Sequence, residues 1–291
     1  MHASLSPASP RRGLTDTTLK AIAAGAMVLD HIYYLFSGLL PIPLWFTMAG
    51  RLAAPVFLFC LVEGFTHTRN RKKYLFRLWL IAAPMGLLLF FMRYAGVLVR
   101  PDGFYPENSM LSTFVLLVLF FQGFTWIASR QGKKILLGLV LVLFLLAWPM
   151  LSGWLTLCFP SAATLIGILG YAVIPTMNIT GDLSLPVILA GLALFFAKRS
   201  RIAQVIALFA VEFGWHFVLV YAQVRTWPDF AFSQMFTMYF EWLGGILAAP
   251  LLLCYNGQRG RGCQRFFYAF YPAHIYILYA LSWLVLAILG S

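Results

Sequence analysis

The stretch LKAIAAGAMVLDHIYYLF, residues 19–36, has the length and apolar character of a membrane helix, except at three residues. Lys20 stands at its start, and Asp30 and His31 lie most of the way along. At 3.6 residues per turn, the step from Lys20 to His31 is close to three turns. Both therefore share one face, roughly 16 Å apart along the axis, with Ala24 and Met27 between them. Lys20 can snorkel to an interface. His31 cannot, and an imidazole at that depth needs a partner or a wet pocket. A His31 that hydrogen-bonds a neighbouring helix meets this need as well as a catalytic His31 does. Asp30, about 100° further round the helix, is placed to orient His31 or a neighbouring group.

The composition agrees with a membrane reading. The 291 residues are 62% hydrophobic and 10% charged, against about 25% charged in soluble domains. The expected fold is an all-α, polytopic integral membrane helical bundle. Apolar runs fall near 19–39, 44–65, 74–93, 110–129, 134–150, 184–197, 202–222, 232–254 and 265–289. The 184–197 run is short and is expected to extend into its flanks. A further segment, 154–175, is interrupted by FPSAAT and several glycines. About 9–11 transmembrane segments are expected, with 154–175 as a candidate re-entrant piece. Residues 1–18 read as a cytoplasmic N-terminal tail and 19–291 as a single transmembrane domain, its first span retained rather than cleaved. The four cysteines show no CxxC or Cys/His spacing, so no metal is expected.

The net charge of +12 is distributed unevenly. With the N-terminus inside, the inner edges collect Arg11, Arg12 and Lys20; Arg69, Arg71, Lys72, Lys73 and Arg77; Arg130, Lys133 and Lys134; Lys198, Arg199 and Arg201; and Arg259, Arg261 and Arg265. That is seventeen of the 21 cations, the bias the positive-inside rule expects. It holds only if 154–175 makes no net crossing. The chain is expected among membrane lipids, with no nucleic-acid partner; a bacterial inner membrane is what the family resemblance given below implies.

Several inner cations read as an anion site. The run Arg69 to Arg77 lies at the level of Lys20. Asn256, Gly257, Gly260 and Gly262 form a tight turn carrying Arg259 and Arg261, followed by an aromatic helix with Pro272 and His274. Cations at one face and a histidine on the same stripe roughly 16 Å deeper suit a donor with an anionic head and a long thin arm. Acyl-CoA has that shape. The candidate donor-binding set is Lys20, Lys72, Lys73, Arg77, Asn256, Arg259, Arg261 and His274. Arg51, Glu63, His67, Glu212, His216 and Glu241 are further candidate pocket residues; two polar helices facing a cavity would account for the last three equally well.

The segments LKAIAAGAMVLDHI, GRLAAPVFLFCLVEGFTHTRNRKKYLFRL, NSMLSTFVLLVL and PLLLCYNGQRGRGCQRFFYAFYPAHIYILY resemble, in order, the TraX family, whose named member acetylates the N-terminus of conjugative F-pilin. That family is similar to the acyltransferase-3-like membrane acyltransferases, which carry Arg or Lys, ten residues, then His on the first span. Lys20 and His31 match the spacing, and Lys73 and Arg77 stand where that group holds CoA phosphates. The resemblance implies an acetyl-CoA-dependent acetyltransferase with His31 and Asp30 as catalytic residues. Its acceptor would be an amine or hydroxyl, of pilin first and of a glycan or lipid next. The alternative is a transporter or proton-coupled carrier, which also places histidines and acids in mid-membrane.

Overall fold

The computed structural model describes residues 12–178 and 181–290, and all its regular elements are helical. Arg11 lies outside the described residues. The helices are α1 (Asp16–Phe36), α2 (Trp45–Gly50), α3 (Ala53–His67), α4 (Arg71–Ala95), α5 (Met110–Ile127), α6 (Gly132–Cys158), α7 (Ala163–Ile168), α8 (Leu185–Phe196), α9 (Arg201–Phe213), α10 (Val220–Val224), α11 (Gln234–Thr237), α12 (Leu243–Leu253) and α13 (Gln264–Leu289). A π-helical turn, Gly214–Leu219, joins α9 to α10. Among the described residues, seven helical stretches are long and apolar enough to cross a membrane. Pro160–Val173, Leu185–Phe196 and Leu243–Leu253 are shorter apolar helices.

The expected 44–65 span is kept as one apolar stretch, Trp45–His67, with a turn at Arg51 and Leu52 dividing it into α2 and α3. Two expected spans are corrected. The 184–197 run gains nothing from its flanks, because α8 keeps 12 residues. The 232–254 run yields α11 and the 11-residue α12, about 16 Å long and too short to cross alone. The tail expected over 1–18 is also shorter than read. Thr15 caps α1 by accepting the Thr18 N–H at 3.2 Å, so the helix begins at Asp16.

The basic loops converge at one end of the bundle. The Asp16 N–H donates to Gln258 O at 2.9 Å, joining the start of α1 to the α12–α13 turn. Arg201 sits over the Tyr255 ring and 3.4 Å from Glu63 at the end of α3. Arg71 reaches Gln122 of α5 at 3.5 Å. Burial first, then the Arg71 and Arg199 guanidiniums, holds the Lys198 ammonium below its ordinary pKa. At the opposite end, the Asp182 carboxylate accepts the Ser109 N–H ahead of α5 at 2.9 Å. The chain leaves α6 and enters α8 at that opposite end, so the described residues between the two helices make no net passage. They fold back instead, the Trp148 indole donating to Ile174 O at 3.0 Å and Tyr171 packing on Phe90.

The core lies around α3 and α5, whose side chains are buried on most sides. Phe59, Phe65, Phe120 and Phe121 are among its largest fully buried groups. Phe121 stacks on Phe195 of α8 at 4.5 Å, fixing α8 parallel to α5.

Candidate active site

Between α1, α3, α4, α5 and α13 a cavity of about 660 Å³ opens at the basic end. Lys20, Arg69, Lys73, Arg77 and Arg259 line its mouth, together with Asp16, Glu63, His67 and Asn70. These belong to the first turns of α1 and α4, the end of α3, and the α3–α4 and α12–α13 loops. Asn70 caps α4 by accepting the Lys73 N–H at 2.9 Å, which fixes where that basic turn starts. Phe57, Tyr74, Tyr255, Phe267 and Tyr268 form much of the wall. The apolar floor is made by Met27, Leu78, Leu111, Phe114 and Tyr271.

The α12–α13 turn is held by the chain ahead of α1. Gly260 adopts φ +74°, and a side chain there would meet Thr15. The Thr17 hydroxyl lies 2.6 Å from Arg261 O and 2.9 Å from Arg259 O. Asn256 is a scaffold residue rather than a cavity residue: its amide donates to Gly13 O at 3.2 Å and its oxygen accepts the Gln258 N–H. Arg261 lines a small crevice beside the cavity. Lys72 is exposed and outside the lining, so the expected cationic face lacks it.

Lys20 carries a partner that the sequence reading missed. Its Nζ lies 2.6 Å from Asp16 Oδ2, one turn earlier. The i, i+4 spacing was visible, but Asp16 falls where a tail was expected. Glu63 and His67 do line the mouth; Glu63 also meets Arg201 at 3.4 Å.

Deeper on α1, the His31 Nδ1 donates to Met27 O at 2.7 Å. The expected support from Asp30 is not made. Asp30 instead accepts from Thr47 at 2.6 Å and from Arg51 at 2.5 Å, across the α1–α2 contact. Gly50 permits this approach, since a Cβ there would lie 2.7 Å from Asp30 Cγ. The neighbour of His31 is His274, expected among the donor-binding residues but absent from the cavity lining. The two rings stand 4.9 Å apart at 83°. Asp182, from the α7–α8 loop, acts on His31 electrostatically. Nothing in its loop sequence marked it.

Arg51, Glu212, His216 and Glu241 form a separate group, not a wall of the cavity. His216 lies 3.8 Å from Glu212, and the Arg51 charge acts on both. Glu241 acts on Glu212.

Residues 15–282 match the family described as TraX protein. The chain belongs to the TraX family. It is also 32% identical over 271 residues to a probable fimbrial assembly protein FimC, serogroup H1, of Dichelobacter nodosus, covering 89% of this chain and 92% of that relative. No solved structure matches. The TraX match begins at the Thr15 cap and takes in Asp16, Lys20, His31, the basic α4 start and His274, so the whole cavity and the histidine pair lie inside it.

Proposed function

We propose that this TraX protein is an integral membrane acetyltransferase of pilus assembly. It draws acetyl from acetyl-CoA bound at the cytoplasmic, basic end of the inner-membrane bundle. The first candidate acceptor is the pilin N-terminus. The observation that carries this reading is one continuous cavity, cationic at its mouth and apolar at its floor, with the floor residue Met27 one turn before His31. Five cations against two acids at the mouth suit the phosphates of CoA. Lys20 would meet a phosphate in competition with Asp16.

The family resemblance and the fimbrial-assembly name of the relative support the pilus context. His31 is the general base. With Nδ1 committed to the Met27 carbonyl, which can only accept, Nε2 carries the lone pair that takes the acceptor proton.

The test is acetyl transfer from acetyl-CoA per folded molecule, for wild type and His31→Ala, alongside melting curves. Loss of the base lowers turnover by about 10²–10⁴ with CoA affinity kept. A folded His31→Ala protein transferring at near wild-type rate removes the assignment.

A further inference from the structure

The start of α4 sends its cations two ways. Lys73 and Arg77 line the cavity, whereas Arg71 does not. Arg71 is two residues from Lys73, about 200° round the helix, and turns instead toward α3 and α5. Its guanidinium carbon lies 4.5 Å from the Phe65 ring centroid, and its Nη1 lies 3.5 Å from Gln122 Oε1. Lys198 reaches the same aromatic patch from the α8–α9 turn, with Nζ 3.8 Å from the Phe195 ring centroid. Phe65 and Phe195 are buried and meet edge-on at 6.0 Å. Two touching rings therefore each carry a cation.

Among the described residues, no carboxylate lies within ion-pair distance of Arg71, Lys198 or Arg199. The two acids of the basic end, Asp16 and Glu63, are taken by Lys20 and Arg201. The charges that act on the Lys198 ammonium are the Arg71 and Arg199 guanidiniums, so three like charges repel one another there. An anion among them would turn that repulsion into attraction. Apolar surface borders the group: the Phe196 ring touches Phe195, the ring under Lys198, at 5.6 Å and is itself 61% exposed. Cations beside an exposed apolar side chain, at the end of a membrane bundle, match a headgroup joined to acyl chains. A soluble anion would gain nothing from Phe196.

We propose that Arg71, Lys198 and Arg199 bind the phosphate of an anionic phospholipid in the leaflet at the basic end, with its acyl chains against Phe196. The site is separate from the donor cavity and does not depend on the acetyltransferase reading. Arg71 offers a planar fork that can hold two phosphate oxygens, and Lys198 offers a point charge. The lipid joins the first turn of α4 to the α8–α9 turn, two parts of the chain that carry cations and no shared acid.

The test uses the full-length protein in neutral detergent. Dioleoyl phosphatidylglycerol and dioleoyl phosphatidylcholine share their chains and differ in headgroup charge. Each is titrated in, and the rise in melting temperature gives an apparent affinity. Phosphatidylglycerol should bind at least about tenfold more tightly. One cation near a lipid phosphate is worth roughly fivefold, so Lys198→Gln should weaken phosphatidylglycerol about fivefold and Arg71→Gln/Lys198→Gln about 25-fold. Lys73→Gln removes an equal charge from the cavity mouth and should bind this lipid as wild type does. Lys198 is exposed, so Lys198→Gln keeps the fold, and its melting curve without lipid checks this. Equal wild-type affinities for the two lipids, or equal losses from Lys73→Gln and folded Lys198→Gln, overturn the proposal. So does competition by glycerol 3-phosphate at the concentrations where phosphatidylglycerol binds, which would make the ligand a soluble phosphate.

Discussion

Arg51 Nη2 lies 2.5 Å from Asp30 Oδ1, so the acid next to His31 in sequence serves the break between α2 and α3 and not the imidazole. Removing one partner of this part-buried pair leaves the other charge unanswered. Asp30→Ala should therefore destabilise by about 1–3 kcal/mol, whereas Asp30→Ala/Arg51→Ala should lose less than the sum of the single changes. Melting curves in detergent give the cycle. Acetyl transfer per folded Asp30→Ala molecule should fall less than about tenfold, far short of the roughly 10⁴ seen where an acid orients a catalytic histidine.

The cavity lining separates cations that an unfolded reading groups together. Arg77 lines the mouth, and Lys72, five residues earlier, does not. A charge-assisted hydrogen bond is worth about 1.5–3 kcal/mol. Titration with CoA should show Arg77→Ala binding roughly ten- to hundredfold more weakly and Lys72→Ala binding as wild type does. Equal losses for the two would mean that the phosphates lie outside the cavity.

Phe114 closes the cavity beside Leu111 and is 8% exposed. If the acyl group ends there, Phe114→Ala should move the preference from acetyl toward butyryl donors. Each methylene admitted is worth about 1–3 kcal/mol, or roughly 10- to 200-fold. Competition between acetyl-CoA and butyryl-CoA reads the ratio, and an unchanged ratio places the acyl end elsewhere.

The loop after α4 hangs on one hydroxyl. Tyr279 of α13 accepts the Arg100 N–H at 3.0 Å and lies 2.9 Å from both Leu98 O and Phe104 O, where Leu98 holds φ 54°. Tyr279→Phe should lower stability by about 1–3 kcal/mol through unpaired buried backbone groups and leave CoA affinity unchanged. A drop in CoA affinity would tie this loop to the donor site.

The stripe shared by Lys20 and His31 on α1 and the clusters of cations were legible along the chain, and 154–175 was legible as an interrupted segment, although residues 154–158 belong to α6. Helical periodicity and the expense of placing charge in lipid act within a segment, so the residues themselves state them. The lengths of α8 and α12 were less legible, because an apolar run does not say where its backbone leaves the helix. α12 begins only after the loop turn at Trp242, whose indole donates to Met235 O.

The partners inside the site were decided by tertiary structure. Asp30 could have served His31 from its position on α1, and the helix permits it. Arg51 and Thr47 take the acid because the Gly50 contact brings α2 within hydrogen-bonding reach. His274 lies 243 positions from His31, on the last helix, and no local period links them. Sequence alone determined which residues carry charge and lone pairs into the bundle, and at what depth on each helix, because rise and period are properties of one segment. Only the packing of α1 against α13 decided that two histidines face one another, since a hydrogen bond or a ring contact needs ångström-scale approach between segments.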